Sequence, residues 1–264
     1  MRTAASARLR LGGARVLLYH AVGGHAGGDP RYAVSRAQLA GHLEQIERGG
    51  HPVVPVARVW SGADEGGAPA VALTFDDGRV SDYTEVLPLM LEHGVVAEFF
   101  VNPGTIGRPR FLTWDQAREM ARAGMRFQSH GYDHVYLTPL SAAALERQVR
   151  DSKRRLEDEL GVRVEFLAAP YGDLNRRVWE AAMAAGYRAV CTSWGWPARA
   201  GRRTVNRIAL YARTTPEEIS RLLRGDPVPY VLRMGRSALL QPVKRGVLRL
   251  WPGRLTERAT ESAA

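Results

Sequence analysis

Val71-Ala72-Leu73-Thr74-Phe75-Asp76-Asp77-Gly78 sets five strand-forming residues directly against two carboxylates and a glycine. The apolar run reads as a buried strand, and the glycine closes it in a turn. Two adjacent acids at the end of such a strand stand on the rim of a sheet, where the side chains of a site collect. An isolated Asp-Asp-Gly turn is more often a solvated or capping feature, so its surroundings decide between the two.

Outward from this strand, apolar runs alternate with amphipathic helical stretches, the pattern of a parallel sheet flanked by helices. Upstream, residues 16–20 read as the first strand. Ser35 and Gln38 form a capping-box signature ahead of Leu39, Leu43 and Ile46, and Gly49-Gly50 ends that helix. Residues 52–56 are expected to add a short edge strand, followed by a Gly/Ala/Asp-rich loop over 61–67. Downstream, the rhythm predicts a helix over 81–93 stopped by Gly94, then a strand over 95–101. A helix capped by Thr113 and Gln116 runs to Gly124, and a strand follows over 125–129. Leu145, Val149, Leu156 and Leu160 mark one face of a longer helix before Gly161. A strand over 165–169, a helix over 175–185, a strand over 187–192 and a helix starting at Pro216 complete the series. No internal sequence repeat accompanies this rhythm.

Three polar clusters fall at strand ends: Asp76-Asp77-Gly78 after Phe75, His130 and His134 after Ser129, and Pro170-Tyr171-Gly172 after Ala169. In parallel α/β architectures those ends share one face, so these distant residues are expected to converge. A His-x-x-x-His spacing alone is weak, because histidine serves widely as an ordinary polar residue. Two imidazoles with a carboxylate, however, make a facial ligand set suited to zinc or another first-row divalent ion, with positions open for water and substrate.

Composition narrows the reading further. A chain of 264 residues with 45% hydrophobic content suits one substantial core, hence one catalytic domain with tails. Lys+Arg total 37 against 27 Asp+Glu, for a net charge of +10, and lysine occurs only at Lys153 and Lys244. Such a balance favours an acidic glycan, an anionic lipid surface or nucleic acid, or marks an arginine-rich solvated surface. With no aromatic-plus-basic recognition motif, no nucleic-acid partner is expected. Cys191 is the only cysteine, which excludes an intrachain disulfide. Arg2, Arg8, Arg10 and Arg15 interrupt every early apolar run, and nowhere is there an uninterrupted apolar run of about 18 residues. Neither an export signal nor a spanning helix is expected, which favours a cytoplasmic or peripheral membrane location.

Taken together, these motifs resemble the polysaccharide deacetylases, the NodB-homology or carbohydrate esterase family 4 group. Thr74-Phe75-Asp76-Asp77-Gly78 is similar to the family's first motif. His130-Gly131-Tyr132-Asp133-His134 has the spacing of its second, and Pro170-Tyr171-Gly172 the end of its third. The likeness covers residues 70–195 best and extends more weakly upstream to Leu17-Leu18-Tyr19-His20. It implies a distorted (β/α) barrel with fewer than eight full units, and a hydrolase that removes N-acetyl groups from glycan sugars as acetate. It implies Asp77, His130 and His134 as ligands of one divalent ion, zinc foremost, with cobalt, nickel, manganese or iron(II) also fitting. Asp76 is then the general base, and the Tyr171 N–H a donor to the oxyanion.

The chain also departs from that pattern. Ala168 stands where many members carry an arginine that orients the catalytic aspartate, and no histidine follows His134 to supply the late general acid. Ser193-Trp194-Gly195-Trp196 and Asn206-Arg207-Ile208-Ala209-Leu210 occupy the places of the later motifs. Arg207 is a candidate replacement for the arginine, since its planar donors suit a bidentate contact, and His20 or solvent for the acid. Trp194 and Trp196 are candidates for stacking on sugar rings or for packing. The losses leave open a catalytically impaired glycan-binding relative. Residues 1–226 are expected to form the deacetylase domain, and 227–264 a basic amphipathic tail that lies on an anionic membrane or packs on the domain.

Overall fold

The computed structural model describes residues 11–23, 29–62, 67–199 and 201–233. Its strands are β1 (Arg15–Tyr19), β2 (Val71–Asp77), β3 (Glu98–Val101), β4 (Arg126–Ser129), β5 (Phe166–Ala168), β6 (Ala189–Thr192), β7 (Thr204–Asn206) and β8 (Ile208–Ala209). All pair in parallel, in the order β7-β6-β5-β4-β3-β2-β1-β8. The two edge strands are consecutive in the chain, separated only by Arg207. One extended segment therefore pairs with β6 through its first half and with β1 through its second, closing the sheet on itself. The result is the distorted (β/α) barrel with fewer than eight full units.

Around it lie α1 (Arg36–Arg48), α2 (Val56–Ser61), α3 (Leu87–Glu92), α4 (Trp114–Arg122), α5 (Ala142–Glu146), α6 (Ser152–Leu160), α7 (Arg176–Ala184) and α8 (Pro216–Leu223). The Ser35–Gln38 and Thr113–Gln116 capping boxes both form, so α1 and α4 begin where their sequences dictate. A π-helical turn over 82–86 leads into α3, and another over 147–151 joins α5 to α6.

Strand residues alternate between two apolar clusters. Leu17, Tyr19, Leu73, Phe75, Phe99, Val101 and Phe127 belong to the larger one, shared with the helices. Val16, Ala72, Phe100, Phe166, Ala168, Ala189, Cys191 and Val205 form the second, which fills the barrel. Tyr19, Phe75, Phe99 and Phe127 are registered neighbours on four successive strands. Their ring centroids follow at 5.0, 5.3 and 5.8 Å. A slip of one residue in any pair would turn a ring of this row into the barrel, so the row pins the register that aligns the strand ends.

Residues 52–56 do not form the expected edge strand. Only Val53 bridges Val71, and α2 begins at Val56. Pro55 has no N–H to extend the pairing, and the N–H of Val56 donates instead to Glu98 Oε1 at 2.6 Å. Val56 and Val59 join the barrel filling, which makes α2 a plug at the N-terminal end of the strands. Glu98 Oε2 accepts from Gln128 Nε2 at 3.0 Å, and Gln128 Oε1 in turn accepts from the N–H groups of Glu165 and Phe166. Burial pushes the Glu98 carboxyl up to about 7, against these donors.

Within the expected tail, residues 227–233 are helical, with one face packed through Tyr230 and Arg233. Tyr230 sits in the larger core with its hydroxyl donating to the Leu222 carbonyl at 2.7 Å. The rest of the basic tail lies outside the described residues, as do Arg2, Arg8 and Arg10. No helix among the described residues is long and apolar enough to cross a membrane.

Candidate active site

The loops after β2, β4 and β5 meet at one end of the barrel, and their backbone is strained there. Asp77 (φ 84), His134 (φ 57) and Tyr171 (φ 60) are three of the four non-glycine residues with positive φ among those described, the fourth being Arg110. Left-handed backbone costs a side-chain-bearing residue about 1 kcal/mol or more, and such strain persists where function holds it. Gly78 (φ 69) completes the turn. A Cβ there would lie 3.0 Å from Val101 Cγ1, so glycine lets the chain leave β2 with Asp77 in place.

Asp77, His130 and His134 each offer a ligand atom, and these atoms lie within 4.8 Å of one another. Asp77 Oδ1 is 3.2 Å from His134 Nε2 and 3.7 Å from His130 Nε2, yet this buried oxygen makes no hydrogen bond. An orphan acceptor facing two imidazole nitrogens fits a cation shared by all three. His130 Nδ1 is 2.8 Å from the Ala168 carbonyl, which takes the Nδ1 proton and leaves the Nε2 lone pair free on the Asp77 side. Burial pushes His130 down to about 4 in spite of Asp76, so the ring is neutral at neutral pH, as a ligand must be. Burial opposes ionisation of Asp77, but His134, with His20 and His130, holds it well below the usual carboxylate range. Arg79 Nη2 stands 3.6 Å from the other oxygen, Oδ2, which leaves Oδ1 to the histidines.

Asp76 meets Arg207. Nη1 donates to Oδ1 at 2.7 Å and Nη2 to Oδ2 at 2.8 Å, and both side chains are buried. The guanidinium lies over the Phe100 ring, 4.8 Å from its centroid. Burial alone would raise the Asp76 pKa; Arg207 first, then His130, outweighs it and leaves it lowered. His20, directly after β1, packs against Tyr32 at 4.7 Å and keeps a buried Nδ1 without a partner. It is among the groups that lower the pKa of Asp76 and Asp77, which places it in their electrostatic neighbourhood.

Tyr171 stacks on Tyr136 at 4.1 Å, lies 4.7 Å from the His134 ring and donates its hydroxyl to the His134 carbonyl at 3.4 Å. Trp196 meets Tyr230 edge-on at 5.9 Å and lines a cleft of about 230 Å³ with Arg199, Arg202 and Asn206. Trp194 points into solvent.

Several supporting residues carried no signal in the sequence. Asn102, after β3, donates to the carbonyls of His130 and Gly131. Gln148 Oε1 accepts from the N–H groups of Tyr132 and Asp133 at 2.8 and 2.9 Å, bracing the two-histidine loop. Gln148 lies in the π turn between α5 and α6, an irregularity that helical periodicity does not reveal. Asp82 is fully buried with neither oxygen hydrogen-bonded, and burial, with the charge of Asp77, pushes its carboxyl well above the usual range.

Residues 63–190 match the sequence model of the family described as polysaccharide deacetylase. YxkH of Bacillus subtilis, a polysaccharide deacetylase by name alone, is 26% identical over 176 residues, 66% of this chain and 62% of that protein. The chitooligosaccharide deacetylase of Sinorhizobium fredii is 36% identical over 129 residues, 47% of this chain and 57% of that protein. The chain thus spans less than two thirds of the length of these curated relatives. The deacetylase PplD of Streptococcus pyogenes, solved in complex with acetate, superposes with a TM-score of 0.73 at 25% identity, covering 83% of this chain and 100% of that one. Over residues 63–190, just under half of its length, this chain is therefore similar to the polysaccharide deacetylase family.

Proposed function

We propose that this protein hydrolyses N-acetyl groups on the sugars of a polysaccharide or glycan precursor, releasing acetate, and that Asp77, His130 and His134 hold one divalent ion for the reaction. The orphan Oδ1 of Asp77, facing the two imidazole nitrogens beside a separately anchored Asp76, is the observation that carries this reading. Two nitrogens and a carboxylate oxygen suit zinc best, with cobalt, nickel, manganese or iron(II) also compatible. When bound, such an ion polarises the acetamide carbonyl and makes the attacking water more acidic.

The protein's own groups do the rest. Asp76 takes the proton of the attacking water. Arg207 lowers its basicity but fixes both of its oxygens, so Asp76 acts by position more than by strength. The Tyr171 N–H, on its left-handed backbone, donates to the oxyanion of the tetrahedral intermediate. His20 delivers a proton to the departing amine nitrogen, and the exposed Trp194 offers a face for a sugar ring. An impaired glycan binder was suggested by the loss of an arginine at Ala168 and of a late histidine. Arg207 on Asp76 supports turnover in place of the lost arginine, and His20, in the electrostatic neighbourhood of both aspartates, is the proposed substitute for the late acid.

Acetate release from a small panel of N-acetylated oligosaccharides, with and without a chelator, tests the proposal. It expects release that stops on chelation and returns with zinc. Absence of release from every member, in metal-loaded protein, would remove it.

A further inference from the structure

Two neighbouring segments leave large apolar side chains in solvent. Of the five that are strongly exposed among the described residues, four lie here: Trp194 at 59%, Val228 at 49%, Val231 at 58% and Leu232 at 66%. Val228, Val231 and Leu232 follow i, i+3, i+4 spacing on the helix over 227–233 and so share one face. Tyr230 and Arg233 are buried on the other. Trp196 meets Tyr230, and a Cβ on Gly195 would stand 3.9 Å from Arg233 Cβ, so the Trp194 loop runs beside this helix.

The face is firmly anchored. Arg233 binds Glu218 at 2.7 Å and Thr214 Oγ1 at 3.1 Å, and donates to the Ala209 carbonyl at the C-terminal end of β8. The Gly195 N–H donates to the Arg207 carbonyl at 2.9 Å. Both attachments lie at the barrel end that carries Asp76 and Asp77, so the apolar face adjoins the candidate active site.

The sequence says what would cover it. From Met234 to Thr256 the chain carries Arg236, Lys244, Arg245, Arg249 and Arg254 without one acidic residue, interleaved with Leu239, Leu240, Val247, Leu248 and Trp251. An exposed apolar face followed at once by cationic and apolar residues is complementary to an anionic lipid surface. A net charge of +10 weighs against a second copy of this chain on the same face. We infer that Val228, Val231 and Leu232 seat this protein on an anionic membrane surface, with Trp194 and the catalytic rim beside the lipid headgroups.

The full chain is sedimented with vesicles of phosphatidylcholine alone or mixed with phosphatidylglycerol. Wild type is expected to pellet only with the mixed vesicles, and a Val231→Asp/Leu232→Asp double variant to lose about tenfold or more of that binding. The double variant should keep its melting temperature and its acetate release from a soluble oligosaccharide, which separates this inference from the deacetylase reading. If it melts early, Val231→Ser/Leu232→Ser takes its place. Wild type remaining in the supernatant with both vesicles overturns the inference, as does equal binding by a folded variant. A concentration-dependent dimer without lipid binding also overturns it and assigns the face to a second copy.

Discussion

Arg207 grips both carboxylate oxygens of Asp76, at 2.7 and 2.8 Å, across 131 residues of sequence. It does so from the break between β7 and β8, so the residue at which the barrel closes also fixes the proposed base. Removing one member of a buried ion pair leaves the other uncompensated, so Arg207→Ala should destabilise the fold by about 3 kcal/mol or more. Arg207→Lys keeps the charge but not the fork, and should keep one divalent ion per chain while turnover falls by about a hundredfold. Metal analysis beside acetate kinetics checks this; an Arg207→Lys enzyme with unchanged turnover would show that the pair serves folding alone.

His20 is assigned the proton for the leaving amine. His20→Gln should slow acetamide hydrolysis by about 10² or more, while an aryl acetate, whose leaving group departs without a proton, should lose far less. Equal losses on both substrates would point to a packing role against Tyr32.

Glu98 makes stability depend on pH. Its folded-state pKa is raised by burial to about 7 from its ordinary 4.5, so between these values the folded protein holds a proton that the unfolded chain has already released. Its contribution is fully present below pH 4.5 and is lost as pH rises through 7, a fall of about 3 kcal/mol. Glu98→Gln has nothing to ionise. Denaturant titrations from pH 4.5 to 8 should show the stability difference between wild type and variant shifting in the variant's favour as pH rises. Parallel curves would mean that Glu98 titrates normally.

Gly78 and Gly94 separate two costs of a side chain. Both have positive φ, at 69° and 63°, but a Cβ on Gly94 meets nothing within 4 Å, whereas one on Gly78 meets Val101 at 3.0 Å. Gly94→Ala should lose about 1 kcal/mol of stability to backbone strain and no activity. Gly78→Ala should lose more stability and also displace Asp77, weakening metal binding. Identical behaviour of the two variants would remove the steric argument.

Much of this was legible because local chemistry and tertiary structure agree. The 71–78 strand, both capping boxes and the three polar strand ends rest on short-range rules, and parallel topology brings those ends to one face. What the sequence hid depends on distant partners. β7 and β8 are three and two residues long, too short for a periodic pattern, and their meaning comes from pairing with opposite edges of one sheet. Residues 52–56 look like an edge strand until Glu98 supplies the acceptor that starts α2 at Val56. Arg207 was readable as a possible partner of a catalytic carboxylate, but only the closed barrel brings it to Asp76.

The central claim is tested most directly by metal content and acetate release in two neighbouring variants. Asp77→Ala should lose both the bound ion and activity, whereas Asp76→Asn should retain one ion per chain and release no acetate. Full activity in Asp76→Asn, or an undiminished ion content in Asp77→Ala, would contradict the division of labour between these adjacent carboxylates.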